Sequence, residues 1–280
     1  MIKSISLFLL LFFFSLQAEE THILVSVAPH KFFVEKIAGS TVQVQLMVPA
    51  GASSHTYEPT PKQILSASKA SLWFCIGESF ETRALKALKA YNRELEAIDM
   101  RRGVDMIKAD PFTGCCCCHA SSHDLHIWLS VRQAKTQAET IAATLSMALP
   151  QHAALYESNL KQFLEDLDGL DQEIQHILGP LQNRTMLVSH PAYAYFCRDY
   201  NMTQLSIEFE GKDPTPKQLT RILNSARAAH ADKVFIQQQY SSKGARLFAQ
   251  ELGARIVLLD PYAEEYFDSM REIAHALAPQ

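Results

Sequence analysis

The sequence lacks a His-Glu-x-x-His segment, the helical signature that sets two zinc ligands and a general base on one face. Zinc-dependent hydrolysis is therefore the alternative of another class, not the leading reading. Beyond residue 14 there is no second long apolar run, so no membrane-spanning helix is expected in the body of the chain. Neither sign of charge dominates: 26 Lys and Arg against 30 Asp and Glu give a net charge of -4. That mild acidity excludes the basic surface by which proteins hold nucleic acid or anionic membrane. Cysteines follow no disulfide framework, because four of the six are consecutive. Cys75 and Cys197 fall in apolar segments and read as buried small hydrophobes. None stands near the N-terminal cleavage site described next, so a lipid anchor is not expected there.

What is present begins with a leader. Lys3 gives a positive start, residues 7–14 are an unbroken apolar run, and Leu16-Gln17-Ala18 fits a small-residue cleavage site. Residues 1–18 read as a signal peptide, cut after about Ala18. The run is too short for a relaxed span, which disfavours an uncleaved anchor. A soluble periplasmic protein with no direct membrane insertion after cleavage is the expectation.

The remaining length suits two domains of ordinary size. Strands are expected over residues 23–27, 42–48, 71–76 and 95–98, with helices between them. A second set of strands is expected over 186–189, 204–207, 233–237 and 255–259, again alternating with helices. Such alternation predicts α/β lobes, each a parallel sheet flanked by helices. Residues 128–178 carry apolar side chains at helical spacing, interrupted at Pro150. The second piece closes at Gly179-Pro180 and is long enough to run the length of a two-lobed molecule. The expected division is a first lobe over 19–149, a long rigid linker helix over 150–180 and a second lobe over 181–280. Residues 108–124, with Pro111, Gly114 and four cysteines, break the rhythm and read as an exposed loop.

Three histidines sit where predicted strands or loops give way to helices: His55, His126 and His190. Asp260 ends the last strand. In α/β lobes ligands bind beyond the carboxyl ends of strands, so all four can face one cleft between the lobes. Three imidazoles and a carboxylate suit a tetrahedral first-row metal. Each alone has a plainer reading, as a hydrogen-bonded loop residue or a turn carboxylate before proline. Position alone leaves both readings open. A second cluster, Cys115, Cys116, Cys117, Cys118, His119 and His123, is read as an auxiliary metal-gathering loop, or equally as a tolerated or oxidised low-complexity segment. Glu58 is read as a partner for a ligand imidazole or as a helix cap. Glu208, Glu210 and Asp213 are read as a solvated acidic loop, and His30 as a residue without partners. Gln237-Gln238-Gln239 is too short to behave as a polar tract.

Five segments carry a resemblance: Gly51-Ala52-Ser53-Ser54-His55-Thr56-Tyr57-Glu58-Pro59-Thr60-Pro61, Asp124-Leu125-His126-Ile127-Trp128-Leu129, Ser189-His190-Pro191-Ala192-Tyr193-Ala194-Tyr195-Phe196, Asp213-Pro214-Thr215-Pro216 and Leu259-Asp260-Pro261. Together they make the chain resemble the zinc and manganese receptors of ATP-binding-cassette importers, over essentially all of the mature sequence. Leu125, Ser130 and Asp213 depart from the usual Pro, Asp and Glu of that family. The resemblance implies a metal held by His55, His126, His190 and Asp260 between the lobes. It implies a monomeric binding protein, not an enzyme, that hands its cargo to a membrane permease. His at position 190 tends to accompany zinc, so zinc is the expected cargo, with manganese or iron as the alternative. A surface adhesin or metal sink without a transporter is the third reading.

Overall fold

The computed structural model describes residues 21–108, 123–208, 215–240 and 243–278. The first lobe runs β1 (Thr21–Val25), α1 (Ala28–Ala38), β2 (Val42–Leu46), α2 (Pro61–Ala67), β3 (Leu72–Cys75), α3 (Ser79–Tyr91) and β4 (Glu96–Asp99). Two helices follow, α4 (Val131–Ala148) and α5 (Ala153–Leu178). The second lobe runs β5 (Thr185–Val188), α6 (Ala194–Asp199), β6 (Thr203–Ser206), α7 (Pro216–Ala228), β7 (Lys233–Gln237), α8 (Lys243–Leu252), β8 (Arg255–Leu259) and α9 (Tyr266–Leu277).

Both sheets are parallel and have one topology, β2-β1-β3-β4 and β6-β5-β7-β8. Alternation decides which side chain goes where. Ile23 and Val25 face one core while Leu24 faces another, and Phe74 and Trp73 divide the same way. In the second lobe Met186 and Val188 oppose Leu187, and Phe235 opposes Val234 and Ile236. Burial on both faces is what makes these strands continuous apolar runs and favours parallel pairing under covering helices.

A local duplication reinforces the symmetry. Thr60-Pro61-Lys62-Gln63 opens α2 and Thr215-Pro216-Lys217-Gln218 opens α7. Each threonine caps its helix and each glutamine reaches back to the cap, a reciprocal capping box that satisfies orphan backbone donors.

The expected linker is a helix of 26 residues, α5, about 39 Å long at 1.5 Å per residue, preceded by a 3-10 turn at Pro150–His152. It packs against α1, α4 and α9. Its buried Phe163, Leu167, Leu170, Ile174 and Leu178 belong to one apolar cluster that also contains Ile23 and Phe33 of the first lobe and Met186 and Tyr266 of the second. The lobes thus share a core, which is the physical basis for rigidity between them.

Within that core His30 is buried, and its Nε2 lies 2.7 Å from Gln137 Oε1 on α4. The expectation that His30 lacks partners is corrected here, because Gln137 lies 107 positions away in sequence. Gln137 in turn donates to the Ile127 carbonyl, 3.1 Å away, just before Trp128. Burial lowers the His30 pKa from 6.5 to about 4, partly offset by the bond to Gln137. The unfolded chain therefore binds this proton first, and folding stability should fall as pH drops from about 6.5 toward 4. That lowering corresponds to roughly 3 kcal/mol of stability. Urea unfolding of the native chain should show this loss, and His30→Gln should reduce it by an amount of that order. Identical pH profiles would contradict the assignment.

Candidate metal centre

His55, His126 and His190 are carried to one point by three separate chain crossings. His55 lies in the loop between β2 and α2. His126 immediately precedes the short 3-10 turn Ile127–Leu129 that leads into α4, and His190 follows β5 by two residues. The two sheets switch direction between β1 and β3 and between β5 and β7, where α/β folds open a crevice beyond the strand ends. Ring centroids are 5.1 Å apart for His55 and His126, 5.2 Å for His55 and His190, and 5.6 Å for His126 and His190. One nitrogen from each ring lies within 4.8 Å of the others. All three side chains are buried, and Nε2 of each has no hydrogen-bond partner.

Each ring has a carboxylate behind it. His126 Nδ1 lies 2.8 Å from Asp124 Oδ1, which also accepts the His126 backbone N–H. His190 Nδ1 lies 2.9 Å from Glu208 Oε2. His55 Nδ1 lies 2.8 Å from Glu78 Oε1, a close but poorly aligned contact. A carboxylate at Nδ1 favours the tautomer with its proton there and leaves the Nε2 lone pair free for a metal. Three buried nitrogen donors brought together in this way fit a borderline divalent cation.

The electrostatics agree. Burial, then the neighbouring His55 and His126, hold His190 well below the ordinary histidine range, so this ring is neutral at neutral pH. Burial pushes Glu78 up, but the facing His55, the Ser54 hydroxyl and His126 outweigh it, and Glu78 stays below its ordinary value. Glu81 fixes the turn that presents Glu78 by accepting N–H groups from Ile76, Gly77 and Glu78, at 2.9, 2.7 and 3.0 Å.

Several bonds fasten the junction around the histidines. Trp128 Nε1 donates to the Pro261 carbonyl at 2.7 Å, and Tyr195 Oη to the Asp124 carbonyl at 2.8 Å. Ser54 Oγ bonds Glu78 at 2.8 Å and lies 3.0 Å from Tyr262 Oη. Tyr240 stacks on His190 with centroids 3.8 Å apart and planes 12° apart.

Asp260, expected as the fourth ligand, lies outside the histidine cluster. Its Oδ1 accepts from Gln239 Nε2 at 2.5 Å and the Tyr262 backbone N–H at 2.9 Å. Its Oδ2 accepts from Gln238 Nε2 at 2.7 Å. Two expectations are corrected. Glu58 is exposed and pairs with Arg83, while Glu78 faces His55. Glu208 is bound to a site imidazole and is not simply a solvated loop residue. Cys115, Cys116, Cys117, Cys118, His119, Glu210 and Asp213 lie outside the described residues. His123 is described and bridges Lys108 in an antiparallel pair, joining the two chain segments that lead out to the cysteines and back. Cys197 is buried and Cys75 half-buried, both as free thiols. Burial pushes the Cys197 thiol up to about 12.

A trio of free imidazole nitrogens between two α/β lobes defines a metal-binding receptor of the solute-binding class. The family described as zinc-uptake complex component A, periplasmic, matches residues 23–279, and the chain belongs to it. A solved ZnuA deletion mutant with zinc bound is 36% identical, with TM-score 0.85, covering 94% of this chain and 100% of that one. A Chlamydia muridarum protein, provisionally named as metal-binding, is 35% identical over 260 residues, covering 92% of this chain and 91% of its own. The manganese transporter substrate-binding lipoprotein PsaA of Streptococcus mitis is 26% identical over 253 residues, covering 85% and 77%. Family members are extracytoplasmic solute-binding proteins of ABC transporters, not enzymes. Among the described residues no helix is long and apolar enough to cross a membrane.

Asp124→Ala should lower metal affinity about 10- to 100-fold, the usual effect of losing a carboxylate that orients a ligand histidine. Isothermal titration, with circular dichroism as the control for folding, measures it. Unchanged affinity would remove Asp124 from the site.

Proposed function

We propose that this chain captures zinc outside the cytoplasm, through Nε2 of His55, His126 and His190 with Asp260 as the fourth ligand, and delivers it to the membrane permease of an ABC importer. The observation that carries the reading is the set of three buried Nε2 atoms without partners, each ring backed by a carboxylate. Three neutral imidazoles suit zinc better than manganese, which prefers oxygen donors. Zinc also outcompetes manganese at most nitrogen sites by the general affinity order of first-row metals. Asp260, at the end of β8, adds one oxygen donor to the three nitrogens, which is what keeps manganese or iron as the alternative cargo.

The leader is removed after about Ala18, and the protein works as a monomer with a first lobe over 19–149, the linker over 150–180 and a second lobe over 181–280. Because the lobes share a core, release follows local movement of the His55 or His190 loop on docking, not wide hinge closure. Cys115, Cys116, Cys117, Cys118, His119 and His123 gather metal ahead of this site without being needed for it.

Elemental analysis of residues 19–280 should find about one zinc per chain. His126→Ala should abolish it, and deletion of residues 115–123 should leave it. Small-angle scattering should give a monomer whose radius of gyration is the same with and without zinc. Zinc that is retained by His126→Ala, or lost only with the loop, would overturn the proposal.

A further inference from the structure

We propose that a chain of four hydroxyls, Ser53, Tyr240, Tyr262 and Ser54, latches the His55 loop to the second lobe, and that Tyr240 within it sets how fast the site exchanges zinc. The inference rests on the zinc-site reading given above.

Tyr240 follows β7 closely and touches both ligand loops. Its ring lies flat against His190, with centroids 3.8 Å apart, and its centroid is 6.1 Å from that of His55. A ring stacked on that face supports His190 without engaging its Nε2, which lies in the imidazole plane. The hydroxyl reaches the first lobe. It accepts from Ser53 Oγ at 3.3 Å, and the same Oγ accepts the His55 backbone N–H at 3.3 Å. Tyr240 Oη also lies 3.3 Å from Tyr262 Oη, which lies 3.0 Å from Ser54 Oγ. Ser54 donates to Glu78 at 2.8 Å, and Glu78 faces His55 Nδ1. The chain thus leaves His55 at its backbone and returns to it at its ring.

The direction of these bonds is fixed. Each hydroxyl has one proton, and a carboxylate only accepts. Ser54 gives its proton to Glu78, so Tyr262 donates to Ser54, Tyr240 to Tyr262 and Ser53 to Tyr240. Bonds in such a series polarise and strengthen one another. Two of them cross between the lobes, from Ser53 to Tyr240 and from Tyr262 to Ser54. The consequence is kinetic. Zinc exchanges when the His55 or His190 loop swings off, and either movement pulls on Tyr240, through Ser53 or through the stacked ring. None of the four hydroxyls is a metal ligand and none of their bonds uses an Nε2, so the latch resists opening of the empty and the loaded site alike.

The test is stopped-flow Zn2+ exchange on residues 19–280. Tryptophan fluorescence follows uptake, since Trp128 lies 5.5 Å from the His126 ring, and transfer to excess chromophoric chelator follows release. Tyr240→Phe keeps the stack and removes the hydroxyl. It should speed release and uptake about tenfold each, the effect of losing roughly one net hydrogen bond, so that equilibrium affinity moves less than either rate. Ser53→Ala should act alike from the first lobe, and adding Tyr240→Phe to it should speed release no further. Tyr240→Leu, which also loses the stack, should in addition weaken affinity about fivefold. Stoichiometric zinc binding shows that the variants are folded. A native release rate in Tyr240→Phe would overturn the inference. So would faster release with unchanged uptake, which would mean that the hydroxyl holds the loaded form alone, or full additivity of the Ser53 and Tyr240 variants. Failure of the underlying site shows separately, as a His126→Ala variant that binds zinc like the native chain.

Discussion

Three imidazole nitrogens buried without partners are the constraint around which the junction is arranged. Each orphaned polar atom costs on the order of 1–3 kcal/mol in the folded protein. A fold does not place three of them within 4.8 Å of one another unless the surroundings enforce it. Asp124, Glu78 and Glu208 enforce it by occupying the opposite nitrogen of each ring. The interlobe bonds from Trp128, Tyr195 and Ser54 hold the carboxylates and rings in register. A divalent cation would relieve all three nitrogens at once, so binding energy and site strain are two views of the same arrangement.

Rigidity serves that arrangement. The two sheets share a strand order, and the helices after β2 and β6 start from the same tetrapeptide, so each lobe presents its crevice in the same way. Helix α5 then fuses the apolar cores of both lobes. Opening the lobes widely would expose part of that shared apolar cluster to water. On the proposed reading, release comes from the loops that carry His55 and His190.

Much of the fold was legible in the sequence. Short apolar runs between helical segments located the eight strands to within a few residues, and the spacing of Phe163, Leu167, Leu170 and Ile174 marked the linker helix. The three histidines were legible because each follows a strand end or loop, where α/β folds gather ligands. Their carboxylate partners were less so. Glu78 lies 23 positions beyond His55 and sits at the cap of α3, so locally it reads as a helix start. Glu58, three residues from His55, was the nearer decoy, and the chain turns it outward to Arg83. Asp124 alone carried a signal, standing two residues before His126. Asp260 was placed at the correct sheet edge, but nothing local to it showed that a glutamine pair more than twenty residues earlier would hold its oxygens. Pairings that span the chain are decided by packing, which periodicity does not report.

X-ray absorption at the zinc edge of the loaded, mature protein tests the central claim most directly. The account predicts three histidine nitrogens at about 2.0–2.1 Å and no sulfur in the coordination sphere. A spectrum requiring fewer than three imidazoles, or one with sulfur at about 2.3 Å from the cysteine loop, would contradict it.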